Sequence, residues 1–342
     1  MQPLTGPLDS QACAELSAVA NAPQVIGHSE QGHAVHGLRV GDPSLPLVSI
    51  VAGAHPDEPA GPVAALELLR HWPSNPLATQ VQLAVVPVID VDGIIAQRSW
   101  LAPWHGAIDL PRYLEHRMRR LPGADREFAW PGAPWDPHGA SVLPECAAAA
   151  SFLDSAGPAI AHLSLHGMFT ALGPWYLLNR PALADRRLWA ELQHSAADLG
   201  LPVHEFHRYG DKGFRRCGRG FCTAPSGPAM RRFFLQAGDP TTARSFGYGS
   251  MDAATARARA ARRPEPLVAI SEFPLLQLPE TEPNRLSAGK RELETQCANG
   301  NYQAAADTFL ALGARPLPLA TQVAGMLAMV KAVIHAALRQ RS

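Results

Sequence analysis

Three short stretches of this chain are almost continuously apolar where a half-exposed strand would alternate: Val48 to Ala52, Leu83 to Ile89 and Leu267 to Ile270. A strand reads this way when both of its faces are covered. Such strands need a layer of helices on each side, which restricts the chain to a few architectures. Further β-like runs are HAVHGLRVG (33–41), AIAHLSLHG (159–167) and WYLLN (175–179). Between them, Glu58 to Trp72 sets Ala64, Leu68 and Leu69 at helical spacing. Pro144 to Ser155, Ala182 to Leu199 and Met251 to Arg263 are Ala-rich helical candidates. Strands alternating with helices predict an α/β fold with a mixed, largely parallel central β-sheet sandwiched by helices. With 342 residues, 46% of them hydrophobic, there is material for a large core. No boundary is visible, so residues 1–342 read as a single domain. Long loops over the sheet rim are expected near 102–139 and 209–245, and a C-terminal helix near 319–338.

The formal net charge is zero, which argues against nucleic acid or an anionic membrane as the main partner. Five cysteines, thinly spread, do not form a secreted disulfide framework. Cys217 and Cys222 are the only close pair and have no second Cys/His pair beside them. The first residues, MQPLTGPLDSQACAEL, carry neither a basic nor an apolar leader region. No uninterrupted apolar run is long enough to span a bilayer. The expected location is the cytoplasm, and oligomeric state is not readable.

In open α/β sheets, functional side chains gather just past the carboxyl ends of strands. His55, His166 and Glu272 all lie at or just past the end of an apolar run. His55 and Glu58 form H-x-x-E on a short segment leaving the first buried run, and zinc accepts both imidazole nitrogen and carboxylate oxygen. A catalytic zinc site needs a third protein ligand. His166 in LSLHG is the best placed, because it ends its run and a glycine follows. His162, four residues earlier, would share its strand face and is the competitor. Glu272 in VAISEFPLL is a carboxylate in apolar surroundings, suited to accept and return a proton.

Taken in order, these pieces resemble the zinc carboxypeptidase family, the carboxypeptidase A/B type and its bacterial relatives. IGHSEQGHAVHGLRVG resembles the G-x-S-x-x-G-x-x-I strand pair, and GAHPDE resembles G-x-H-x-x-E. PVIDVDGI is similar to the stretch ending N-P-D-G, and PGADREFAWPG to the segment carrying Asn-Arg-Asn-Phe. LPECAAAASFLD resembles the S-E-P-E helix, LSLHG the third-ligand strand, and AISEFP the T-x-E-L-P strand. The similarity runs from about Ile26 to Pro279.

The resemblance implies one zinc ion per chain on His55, Glu58 and His166, with Glu272 as general base and acid. It implies that Arg126 grips a substrate carboxylate, that Arg98 polarises the scissile carbonyl and that Tyr248 closes over the substrate. The substrate would be a small peptide or an acylated amino acid, cut next to a free carboxylate. Three departures matter. Asp125 stands where the family has Asn beside the arginine, which suits a substrate ammonium group better than a carboxylate. Gly123 stands where an aspartate often orients the first zinc histidine, so that partner must come from elsewhere. Asp57 replaces an arginine of the digestive enzymes. A zinc-dependent deacylase of the aspartoacylase or succinylglutamate-desuccinylase kind, or a murein-peptide amidase, resembles the same opening motif. A non-catalytic binding module on this fold is the alternative of another class.

Overall fold

The computed structural model describes residues 23–97, 100, 108–118, 120, 123–136, 138, 141–205, 215–224, 226–279 and 283–341. Arg98 therefore lies outside the described residues, as do parts of both expected rim loops. The described strands form one ten-stranded mixed sheet. Its parallel centre is β4 (Gln82–Val86), β3 (Leu47–Ala52), β5 (Ala161–Ala171) and β9 (Leu267–Gln277), in that spatial order. On one side, an antiparallel hairpin of β1 (Gln24–His28) and β2 (Ala34–Val40) joins through β2 to β4. On the other, β6 (Trp175–Leu178) runs antiparallel to β9 and is followed by β8 (Phe221–Thr223) and β7 (Arg216–Gly218). The short β10 (Arg315–Pro316) pairs with the far end of β9.

The apolar runs follow from two-sided burial. All six residues of β3 are buried. Val48 and Ile50 face a layer made by the helices Ala60–His71, Arg186–Asp198 and Leu319–Arg339. Leu47 and Val51 face the helix Pro144–Ala156 on the opposite side. Each such aliphatic side chain contributes roughly 1.5–3 kcal/mol by leaving water. Leu319–Arg339 is long and apolar enough to cross a membrane by length and composition. Here Met326, Met329, Val330 and Val333 of that helix are packed into the core beneath β5 and β9.

The segment 209–245, read from sequence as a loop, is more structured than that. Its described part carries β7, β8 and the helices Gly227–Gln236 and Pro240–Arg244. The strands are three residues each, and β7 is mostly exposed at the sheet edge, so they leave no apolar signature.

The parallel register sets up the site. Along β5 and β9, His162 is paired with Val268 and His166 with Glu272. Paired residues on neighbouring strands project to the same face, so His166 and Glu272 stand side by side.

Candidate metal centre

Three segments meet level with the carboxyl end of β3, beside the middle of β5 and β9, which run five residues beyond His166 and Glu272 rather than ending there as expected. The first leaves β3 through Gly53, whose φ of +66° is a left-handed conformation that favours glycine. The chain then turns at His55, where the Glu58 amide donates to the His55 carbonyl at 3.2 Å. This brings both side chains of H-x-x-E to one point. The second segment is β5 at His166. Gly167 follows it, and a Cβ there would lie 3.1 Å from the Phe273 carbonyl and 3.7 Å from Glu58 Cβ. Glycine at this position eases the close approach of the Phe273 carbonyl, and the Gly167 amide donates to Glu58 Oε2 at 3.1 Å. The third segment is β9 at Glu272.

His55 Nδ1 lies 3.0 Å from Glu58 Oε1. His166 Nδ1 lies 3.1 Å from Glu58 Oε2, and the two Nδ1 atoms are 3.2 Å apart. Three metal-ligating groups therefore converge. A tetrahedral zinc ion with bonds of about 2.0–2.1 Å holds its ligand atoms roughly 3.3 Å from one another. The spacing, the two imidazoles and the single carboxylate all fit such an ion. His162 does not join them. Its Nδ1 is 2.9 Å from Ser49 Oγ and its Nε2 3.0 Å from Ser250 Oγ, so both ring nitrogens are occupied by hydroxyls.

Charge in the cluster is strongly coupled. Burial opposes protonation of His166, but Glu127 and Glu58 outweigh it and lift its pKa to about 10. Burial likewise opposes protonation of His55, and Glu58 and Asp125 hold it well above the ordinary imidazole value. Desolvation would raise Glu58, yet His55 and His166 keep it far below the usual carboxylate range. The arrangement is one that favours a cation: where protons sit in these directions, a metal ion can take their place. Glu272 goes the other way. Burial and then the Glu58 charge push its pKa up to about 8, against the pull of His166 and His55.

The remaining sequence candidates are placed as follows. Asp125 Oδ1 lies 3.3 Å from His55 Nε2, so the carboxylate read as a substrate contact stands behind a ring of the candidate cluster. Arg126 does not face the cleft. It is 1% exposed and all three of its nitrogens are engaged: Nε donates to Glu145 at 2.7 Å, one terminal nitrogen to the Ala124 carbonyl at 2.6 Å and the other to Glu30 at 2.9 Å. Asp90 lies 3.6 Å from its Nε. Its donors are thus taken up by Glu145, Glu30 and the Ala124 carbonyl. Tyr248 packs edge-on against Trp135, with ring centroids 5.6 Å apart, and its backbone bridges to Trp130. It lines a cavity of about 450 Å³ with Leu178, Met251 and Val268, none of them a member of the metal cluster. Val268 lies four residues before Glu272, toward the amino end of β9.

Two groups escaped the sequence reading. Glu127 Oε2 lies 3.1 Å from His166 Nε2, and Ser164 Oγ lies 2.8 Å from the same nitrogen. The available signal was the Asp-Arg-Glu spacing, two carboxylates flanking one arginine.

Solved structures supply the comparison. A protein of Shewanella denitrificans assigned as a metallopeptidase superposes with a TM-score of 0.54 at 13% identity, covering 96% of this chain and 88% of its own. A metallo-carboxypeptidase from Burkholderia cenocepacia gives 0.51 at 12% identity over 98% and 70%. Carboxypeptidase A from Helicoverpa armigera gives 0.50 at 12% identity over 97% and 72%. This chain has the zinc carboxypeptidase fold. No family model matches the sequence, and no curated protein matches it. Within that fold, the His55, Glu58 and His166 cluster lies just past the carboxyl end of β3, beside the middle of β5.

Proposed function

We propose that this chain is a metal-dependent hydrolase that cleaves an amide or peptide bond in a small peptide or acylated amino acid. The observation that carries the reading is the meeting of His55, Glu58 and His166 with Glu272 in register on the next strand. His55 and His166 through Nδ1, and Glu58 through its carboxylate, would hold one zinc ion. When bound, zinc supplies a Lewis acid and lowers the pKa of water toward ~7. Glu272, in register with His166 on the neighbouring strand, would take a proton from the attacking water and return it to the departing nitrogen.

A second reading concerns the substrate. Arg126 is enclosed by Glu145 and Glu30, and Asp125 and Glu127 add negative charge beside the histidines. This favours a deacylase or amidase over cleavage next to a substrate carboxylate held by Arg126. Zinc content of the purified protein tests the first reading, with about one ion per chain expected and none fatal to it. Hydrolysis of C-terminal peptides, N-acyl amino acids and muropeptide fragments, each assayed with and without chelator, separates the substrate classes.

A further inference from the structure

The tripeptide Asp125-Arg126-Glu127 carries a second layer of order behind the metal-ligating histidines. Its outer members reach the far nitrogens of the two rings: Asp125 meets His55 Nε2 at 3.3 Å and Glu127 meets His166 Nε2 at 3.1 Å. Its central side chain goes the opposite way, into Glu145 and Glu30. We propose that Asp125 and Glu127 are positioning residues that fix the tautomer and tilt of His55 and His166, and that Arg126 is the buried anchor holding both in place. The inference rests on the metal reading above.

The physical argument concerns which nitrogen is free to ligate. A neutral imidazole carries one N–H and one lone pair, and a hydrogen bond accepted from one nitrogen commits the lone pair to the other. Carboxylates facing both Nε2 atoms leave both Nδ1 atoms, 3.2 Å apart, as ligands. A carboxylate behind a ligating histidine also raises the basicity of the ring, and its removal typically weakens metal binding 10–100-fold. Here one short turn serves both rings.

The turn is fixed from several sides. The Glu127 amide donates to Asp125 Oδ1 at 2.9 Å, and the Phe128 amide to the Asp125 carbonyl at 3.1 Å. Trp130 Nε1 donates to the Arg126 carbonyl at 2.9 Å. Gly249 presses against Glu127: a Cβ there would lie 3.0 Å from the Glu127 carbonyl oxygen. Glu127 itself is buried, so its carboxylate has a defined direction rather than a solvated range of them. Ser164 Oγ, 2.8 Å from His166 Nε2, shares that nitrogen but supplies no charge.

The test compares zinc affinity, by competition with a chromophoric chelator, and the visible spectrum of the Co²⁺-loaded protein across wild type, E127A, E127Q and D125A. E127A and D125A are expected to weaken zinc 10–100-fold and to alter the cobalt bands, because the ring each carboxylate supports is released. E127Q keeps an acceptor oxygen at the same reach but not the charge, and is expected to fall between wild type and E127A in affinity with cobalt bands close to wild type. E127A with wild-type affinity and spectrum overturns the proposal. E127Q falling as far as E127A also overturns it, because the effect would then belong to lost charge and not to ring placement. A wild-type protein that binds no zinc sinks the metal reading itself, an outcome distinct from either.

Discussion

Strand β5 carries two buried histidines on one face, four residues apart, and they behave in opposite ways. His162 meets two hydroxyls, Ser49 and Ser250, and is paired across to Val268. Burial, aided by Arg257, pulls its pKa down to about 3. His166 meets Glu58 and Glu127 and is paired across to Glu272. It is equally enclosed, yet its pKa is lifted to about 10. Burial is common to both, so it cannot be what separates them. The partners are: hydroxyls satisfy a neutral ring, whereas carboxylates prepare a ring for a cation. Position along the strand decides which partners are met: His162 lies beside Ser49 within β3, whereas His166 lies just past the level where β3 ends and so meets Glu58 and Glu127.

The strongest way to break this contrast is to remove each ring in turn. H166A should abolish zinc binding, read as metal per chain after dialysis, while H162A should retain about one ion. Loss of zinc from H162A alone would invert the assignment. The next effect comes from the neighbouring strand. E272Q should keep the metal but lower kcat by about 10²–10⁴, the usual contribution of a positioned acid–base group. Near-wild-type turnover by E272Q would remove Glu272 from proton transfer and leave its raised pKa as a consequence of packing.

The same contrast shows what was legible beforehand. The doubly buried strands β3 and β9 announced themselves because cover on both faces writes an unbroken apolar run. His55 and Glu272 could be singled out because each follows an apolar run, and Glu58 because it stands three residues after His55. The choice between His162 and His166 was open from periodicity, since the two share a face, and was narrowed only by nearness to the strand end. Arg126 was a different matter. Its cage draws Glu30, Asp90 and Glu145 from three remote segments, and nothing local in GADREF states which way the guanidinium points. For the same reason Asp125 read as a substrate contact: in a turn, side-chain direction is set by packing against other segments, not by a two-residue period. The strands β7 and β8 were missed because three residues are too few to write a periodic pattern, even though Phe221 and Cys222 of β8 are buried.

A smaller effect sharpens the other half of the comparison. Because the folded-state pKa of His162 is near 3 and an ordinary imidazole titrates near 6.5, the unfolded chain binds a proton in that interval that the folded chain refuses. Below pH 6.5 stability therefore falls as pH falls, by at most ~1.4 kcal/mol per pH unit from this one group, and the contribution levels off near pH 3. H162Q carries an uncharged amide that can still reach a neighbouring hydroxyl. Its stability in denaturant, compared between pH 7 and pH 5, should decline less than that of the wild type. Curves that stay parallel would show that His162 does not titrate in this way. S49A, measured at pH 7 where the ring is neutral in both states, should lose only about 1–3 kcal/mol, the penalty for leaving one buried ring nitrogen without its partner. It should do so with zinc content unchanged, because the hydroxyl that matters to His162 plays no part at His166.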